Sequence, residues 1–196
     1  MSSTGCNTEQ ETPRLRIAGI EPESFVDGPG IRMTIFTQGC HHHCPGCHNP
    51  QTHDFAGGHY IDIEEILAMI DENPLLDGVT FSGGDPMEQS AALIPLAREI
   101  KERGMNLIIY TGYTYERLME LKDERPDFFE LLTFADILID GPFVMAKRSL
   151  ELKFRGSSNQ RIIDVPESLA QGRVVLHQIQ LDEMAEREPL AVKCAV

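Results

Sequence analysis

The sequence predicts an α/β fold in which about five parallel strands form either an open doubly wound sheet or an incomplete barrel. Two observations carry that expectation. Short β-branched runs alternate with amphipathic stretches of about ten residues, a rhythm that calls for parallel pairing through right-handed crossovers. The chain has 196 residues, whereas a complete eight-fold barrel takes about 250.

Each element can be justified in chain order. The small, polar, aperiodic opening predicts a disordered leader over residues 1–14, followed by a short strand at Leu15 to Ile20. Ile31 to Phe36 is a strand bounded by the turn Asp27-Gly28-Pro29-Gly30 and by Gly39. Apolar residues at Ile63, Ile66, Leu67 and Ile70 predict a helix over Ile63 to Asp71, and Val79 to Phe81 a strand. A helix over Ala91 to Arg103 stops at Gly104, and a strand at Leu107 to Tyr110 follows. Helices at Tyr115 to Leu121 and Pro126 to Thr133 precede strands at Ile137 to Ile139 and Arg161 to Asp164. One core domain over residues 15–165 is expected, with 166–196 as a C-terminal extension; after Gln171 the pattern offers no clear place in the core.

Composition narrows the function. With 41% hydrophobic and 24% charged residues, the chain is an ordinary globular one. Its 17 Lys and Arg face 31 Asp and Glu, a net charge of −14 that argues against a phosphate-backbone ligand and so against nucleic acid. No apolar run approaches the roughly 18 to 20 residues that span a bilayer, and the first residues lack a secretion signal's basic-then-apolar order. A cytoplasmic protein with no membrane partner is expected.

The five cysteines are unevenly spread. Cys6 and Cys194 lie near the ends and read as thiols that hold no metal, while Cys40, Cys44 and Cys47 fall within eight residues, on the loop after the second strand. A disulfide framework is disfavoured, because three is odd and the compartment is reducing. A Cys3His zinc site is a serious rival, since six of the seven histidines lie between His41 and His59 and His43, His48 or His53 could close a tetrahedron. The third reading is an iron-sulfur cluster held by three thiolates, which leaves one of four irons open as a Lewis-acidic corner. The other chemistry-bearing residues also follow strands: Ser82-Gly83-Gly84-Asp85-Pro86, Thr111-Gly112-Tyr113 and Asp140-Gly141-Pro142. Carboxyl ends of parallel strands are where α/β folds bind ligands.

Cys-x3-Cys-x2-Cys followed one βα unit later by Ser82-Gly83-Gly84-Asp85-Pro86 resembles the two signatures of radical S-adenosylmethionine enzymes. The resemblance implies an incomplete β/α barrel, a 4Fe-4S cluster on Cys40, Cys44 and Cys47, and S-adenosylmethionine chelated to the open iron. It places the cofactor's amino group at Ser82, Gly83, Gly84 and Asp85, and its adenine side at the backbone of Gly46, Cys47 and His48. Many members carry an aromatic residue before the third cysteine, where this chain has Gly46. Asp140 is read as a cap or as a polar group near the cofactor, and Thr111 in the same way; the flank His41 to His43 is read as a solvated loop.

Two further segments narrow the resemblance. Phe25-Val26-Asp27-Gly28-Pro29-Gly30-Ile31-Arg32 is similar to the opening of the glycyl-radical activating enzymes. Arg155-Gly156-Ser157-Ser158-Asn159-Gln160-Arg161 resembles a stretch in the activators of the anaerobic ribonucleotide reductase and not in the pyruvate formate-lyase activases. The resemblance covers about Ile17 to Val165. It implies reductive cleavage of S-adenosylmethionine, fed by a flavodoxin-like electron donor, and hydrogen abstraction from a glycine of the reductase, the protein partner; activation of another glycyl-radical enzyme such as formate lyase is the alternative. Lys147 to Arg161 has a local charge of +4. It reads as a solvated basic face, or as a patch that meets an acidic partner surface or helps hold the cofactor carboxylate.

Overall fold

The computed structural model describes residues 14–187; the expected leader, Cys6 and Cys194 lie outside the described residues. The elements are β1 (Arg14–Ser24), β2 (Arg32–Thr37), β3 (His59–Asp62), α1 (Ile63–Glu72), β4 (Gly78–Gly83), α2 (Ser90–Glu102), β5 (Asn106–Tyr110), α3 (Tyr115–Glu120), α4 (Pro126–Phe134), β6 (Ile137–Asp140), β7 (Arg161–Asp164), α5 (Val165–Gln171) and α6 (Gln178–Arg187). Every strand and helix expected from the sequence is present, most of them within a residue or two.

One seven-stranded sheet runs in the order β3-β1-β2-β4-β5-β6-β7. Four strands, β2, β4, β5 and β6, are parallel neighbours, fewer than the five expected. β1 is antiparallel to β2 and to β3, and β7 is antiparallel to β6. The reason lies in the connections. A seven-residue loop joins β1 to β2, and β6 reaches β7 without an α-helix, so neither has the crossover that a parallel partner requires. The parallel strands run in sequence order with no reversal, unlike a doubly wound sheet, and the sheet is open, with β3 and β7 at its edges.

Strand alternation divides the sheet into two faces. Met33, Ile35, Val79, Phe81, Leu107, Ile109, Leu138 and Ile163 point to one, where they form a single buried cluster with Ile66 and Ile70 of α1, Leu93, Leu96 and Ile100 of α2, Leu118 of α3 and Phe128, Leu131 and Leu132 of α4. We call this the convex face. The intervening residues Ile108, Ile137, Ile139 and Ile162 form a second, four-residue cluster on the concave face, against which Tyr110, Phe154 and Ile179 pack. A period of two in the strands and of three to four in the helices is what puts one apolar set between the layers.

The helices start and stop for local reasons. The Asp164 carboxylate accepts from Glu167 N at 3.0 Å to cap α5, which ends at Gly172 in the left-handed conformation, φ 65°. Thr114 caps α3 in the same way. The chain after Gln171 does find a place: Val174 packs on the convex cluster. Gln180 of α6 accepts from Ile162 N at 2.6 Å, which fills part of the hydrogen-bonding edge that β7 would otherwise expose. Among the described residues, no helix is long and apolar enough to cross a membrane.

Candidate functional site

The loop after β2 is pinned at its base before it reaches the first cysteine. Gly39 N donates to Thr52 O at 2.8 Å and Cys40 N to His53 O at 3.2 Å. The Gln38 amide donates to Gln51 O and Asp54 O, at 3.1 and 2.6 Å. Further along, Cys47 N donates to Cys44 O at 3.0 Å and Asn49 N to Cys47 Sγ at 3.4 Å. Cys40 is buried, Cys44 and Cys47 are half-buried, and all three are free thiols. Burial pushes the Cys40 thiol up to about 11 and raises that of Cys44. Both would shed a proton on binding iron.

The three thiols open onto one cavity of about 540 Å³, whose wall also includes His48, Ser82, Gly83, Gly84, Thr111 and Gly141. That is well within the range of small-molecule sites. The loops after β2, β4, β5 and β6 thus meet at one end of the sheet, as the sequence led us to expect. Gly84 is what lets the second loop come so close to the first. Gly84 N donates to Thr37 O and Asp85 N to Gly39 O, both at 2.8 Å, and a Cβ on Gly84 would stand 2.3 Å from Gly39 O. Among the described residues, no three His, Cys, Asp or Glu side chains converge where a single ion could sit. The three thiols instead border a shared space, and that donor set fits a multi-iron cluster.

Asp85 stands behind the wall of this cavity. Its side chain is fully buried and accepts from Thr111 Oγ1 at 2.9 and 3.0 Å, Gly112 N at 2.9 Å, Met87 N at 3.0 Å and His42 Nε2 at 2.8 Å. A carboxylate only accepts, so the Nε2 of His42 carries the hydrogen. The bond to Asp85 raises the His42 pKa above its usual value, against the opposing effect of burial. His42 therefore ties the cysteine loop to the Gly-Gly-Asp loop. The expected solvated flank is corrected at this residue, which also borders the cavity. Its signal in the sequence was only that it lies between two cysteines.

Asp140 proves to be a cap. Its buried carboxylate accepts from Tyr115 N at 2.8 Å, ahead of α3, and from both Nε and Nη2 of Arg161. Arg161 also pairs with Glu116. The cavity wall is formed by its neighbour Gly141 instead.

The segment between β6 and β7 folds back over the cysteine loop. The Phe143 ring lies 5.0 Å from that of His48, and the Phe143 backbone partly offsets the burial that raises the Cys44 thiol. Gly46, where the aromatic residue was missing, has φ 74°, and a Cβ there would stand 1.9 Å from Met145 Cε and 3.6 Å from Phe143. Phe143 and Met145 occupy that space, an arrangement that local sequence could not reveal. The segment is held to itself by Ser158 N donating to Lys147 O at 2.9 Å and Val144 N to Ser157 Oγ at 3.1 Å.

The expected basic face is largely neutralised. Arg155 pairs with Glu183 of α6 at 2.6 Å, each side chain 4% exposed, and Lys153 pairs with Glu186 at 3.3 Å. With Arg161 held by Asp140 and Glu116, three of the five cations are spoken for within the chain. These partners lie at sequence separations of 21 to 45 residues, too remote for charge pattern to predict.

Comparison with known proteins adds to this geometry. Residues 26–163 match the family model described as a 4Fe-4S single cluster domain. The chain is 36% identical over 149 residues to an anaerobic ribonucleoside-triphosphate reductase-activating protein of Vibrio cholerae, covering 72% of this chain and 92% of that one. A protein of the same name from Pasteurella multocida is 37% identical, with the same coverage of both chains. A pyruvate formate-lyase-activating enzyme of Clostridium pasteurianum is 43% identical over 112 residues, covering 54% of this chain and 47% of that one.

Proposed function

The chain belongs to the family of anaerobic ribonucleoside-triphosphate reductase-activating proteins, within the 4Fe-4S single cluster domain family, and on that premise we propose that it places a glycyl radical on the anaerobic ribonucleotide reductase. It is an activating enzyme of the glycyl-radical type. Cys40, Cys44 and Cys47 would hold the cluster, which, fed by a flavodoxin-like donor, would supply the electron for reductive cleavage of S-adenosylmethionine and so for hydrogen abstraction from a glycine of the reductase.

The single observation that carries this reading is that the three thiols and the Ser82, Gly83 and Gly84 segment border the same cavity. The cysteine loop, pinned at Gly39 and Cys40, would present three thiolates to the cluster in the same cavity that Ser82, Gly83 and Gly84 line. Backbone groups of that segment receive the cofactor's amino end, and Gly46, Cys47 and His48 border its adenine side. Thr111 contributes a polar wall. Asp85 acts from behind, by fixing His42, Thr111 and Gly112 in one frame, and Asp140 fixes the start of α3. On this reading the open sheet serves as the incomplete β/α barrel that the resemblance implies, with its chemistry at the carboxyl ends of the parallel strands.

Two measurements test the reading. After oxygen-free purification the protein should hold about four irons and four sulfides per chain; one zinc in a colourless, air-stable protein would sink it. Mixed with the anaerobic reductase, a reductant and S-adenosylmethionine, it should generate a glycyl radical visible by electron paramagnetic resonance. The kinship with the formate-lyase-activating enzyme favours one second reading, and a radical on formate lyase but never on the reductase would establish it.

A further inference from the structure

Among the described residues, nothing accepts from the Nε of Arg155. The side chain is 4% exposed and borders the cavity. Its Nη2 donates to Glu183 Oε2 at 2.6 Å and its Nη1 to Gln160 O at 3.0 Å, while its Nε, also buried, has no partner. A buried unpaired N–H costs free energy comparable to a lost hydrogen bond, so a bound group that accepts from it recovers that cost. The neighbouring Gln160 side chain is already satisfied. Gln160 accepts from Gly156 N and Ser157 N, at 2.9 and 3.1 Å, and donates to Gly141 O at 3.1 Å.

The charge of the site selects the acceptor. Glu183, as buried as Arg155, already balances the guanidinium. A ligand carboxylate brought to Nε would be a second anion sharing one cation in a poorly screened setting, where like charges repel strongly. A neutral amide carbonyl carries no such penalty. The neighbouring wall is apolar: Leu152, Phe154, Phe143 and Val26 line it, and Val26 is 76% exposed at its mouth. Apolar lining with one placed donor is what an uncharged polypeptide backbone fits.

We propose that Arg155 Nε donates to a backbone carbonyl of the glycine-bearing segment of the protein substrate, and so helps seat that segment in the cavity. Arg155 is then a substrate-binding residue, and Glu183 of α6 its positioning partner. This is an alternative to the sequence-based expectation that the basic stretch helps hold the cofactor carboxylate. It rests on the functional reading above, since it presumes a polypeptide substrate.

The test uses cluster-loaded, full-length protein with a peptide spanning the reductase's radical-bearing glycine. In Arg155→Lys the charge opposite Glu183 is kept and the spare donor is lost. Peptide affinity should fall about tenfold, the typical effect of leaving one buried carbonyl unpaired, while affinity for S-adenosylmethionine changes less than about twofold. A set of peptides with sulfur replacing one carbonyl oxygen at a time separates contact from folding. The parent protein should discriminate about tenfold against one of them, and Arg155→Lys against none. A tenfold loss confined to S-adenosylmethionine would assign Arg155 to the cofactor carboxylate and overturn the proposal. Equal preference of the parent for every peptide would overturn it too, by showing the ion pair to be purely structural. Failure of the parent to form any radical on the intact reductase would refute the functional reading itself, a separate outcome.

Discussion

The two faces of one sheet have been put to different uses, and the contrast shows how this chain divides stability from chemistry. Among the described residues, the convex face carries a continuous cluster of 29 buried apolar residues, drawn from strands and helices alike. The concave face has four, Ile108, Ile137, Ile139 and Ile162. Where the same strands turn their other side chains inward at the β2 and β4 end, they present Thr34, Phe36, Thr80 and Ser82. Hydrogen bonds replace packing there: Thr34 and Ser24 donate to Asp27, at 3.2 and 2.5 Å. The buried Arg32 donates to Thr80 Oγ1, Val79 O and Asn106 O, at 2.8, 2.6 and 3.0 Å. Burial draws the Arg32 pKa down to about 10, which still leaves it charged at neutral pH. Apolar contact tolerates approximate fit, whereas such networks hold atoms at fixed positions.

If the division holds, the largest functional effect should come with little loss of stability. Cys44→Ala removes a half-buried thiol that contributes nothing to the convex cluster. Iron content should fall well below half of the parent's, and radical formation on the reductase to background. Unfolding of the metal-free protein in denaturant should shift by less than about 1 kcal/mol. A large shift would mean that the loop is part of the fold's core and break the contrast.

The converse substitution is Phe81→Ala, on the convex side of β4 and fully buried. It should cost about 3 to 5 kcal/mol of stability by denaturant titration. Its immediate neighbour Ser82 faces the cavity, so the affinity for S-adenosylmethionine of the folded fraction reads out how independent the faces are. An affinity within about threefold of the parent, roughly 0.65 kcal/mol, sharpens the comparison.

Legibility in the sequence follows the same division. The convex face could be read, because burial against helices imposes periods that survive in the order of residues: Ile63, Ile66 and Ile70 of α1 announce it. The cavity's cysteines and glycines were legible as well, since they sit at fixed spacings on loops after strands. Side chains whose partners come from elsewhere were not. His42 looked like one of three interchangeable histidines until Asp85 was found 2.8 Å away, 43 residues on. The basic stretch looked free until α6, a helix without a clear amphipathic signal, supplied Glu183. β3 was missed because its four residues, His59–Asp62, gain their strand character from pairing with β1.

Asp85 joins the two faces, and its substitution should have an intermediate effect on both. Asp85→Ala strands the donors of Thr111, Gly112, Met87 and His42 in a buried place. A loss on the order of 3 kcal/mol is expected. S-adenosylmethionine should bind more weakly while most of the iron is kept, since no cysteine contact is removed. Binding as tight as the parent's would show that the frame behind the cavity is dispensable.

Gly46→Ala probes the cover over the cysteine loop. A left-handed residue with a Cβ costs about 1 to 2 kcal/mol, and the added methyl must also displace Met145 Cε, which stands 1.9 Å from its position. Met145 is a flexible, 49% exposed side chain and can move. Stability should therefore fall by no more than about 2 kcal/mol, and pairing with Met145→Ala should recover the steric part alone.

The smallest effect is expected where the site meets solvent. Arg161 joins the buried Asp140 to the exposed Glu116, whose side chain is 56% exposed. The bond from Arg161 holds the Glu116 carboxyl below its usual range. A carboxylate whose pKa is depressed by folding contributes stability that is complete above its unfolded pKa, near 4.5, and is lost as the pH falls through its lower folded value. Glu116→Gln should therefore flatten a modest acid-side decline in melting temperature and leave the value at pH 7 only slightly lower, because solvent screens the pair. Asp140 remains on Arg161 in that variant and still caps α3, so radical formation should be unaffected. A variant that lost radical formation would show that the charge at Glu116 reaches the cavity through Arg161 and Asp140, and would move the boundary between the two regions outward by one ion pair.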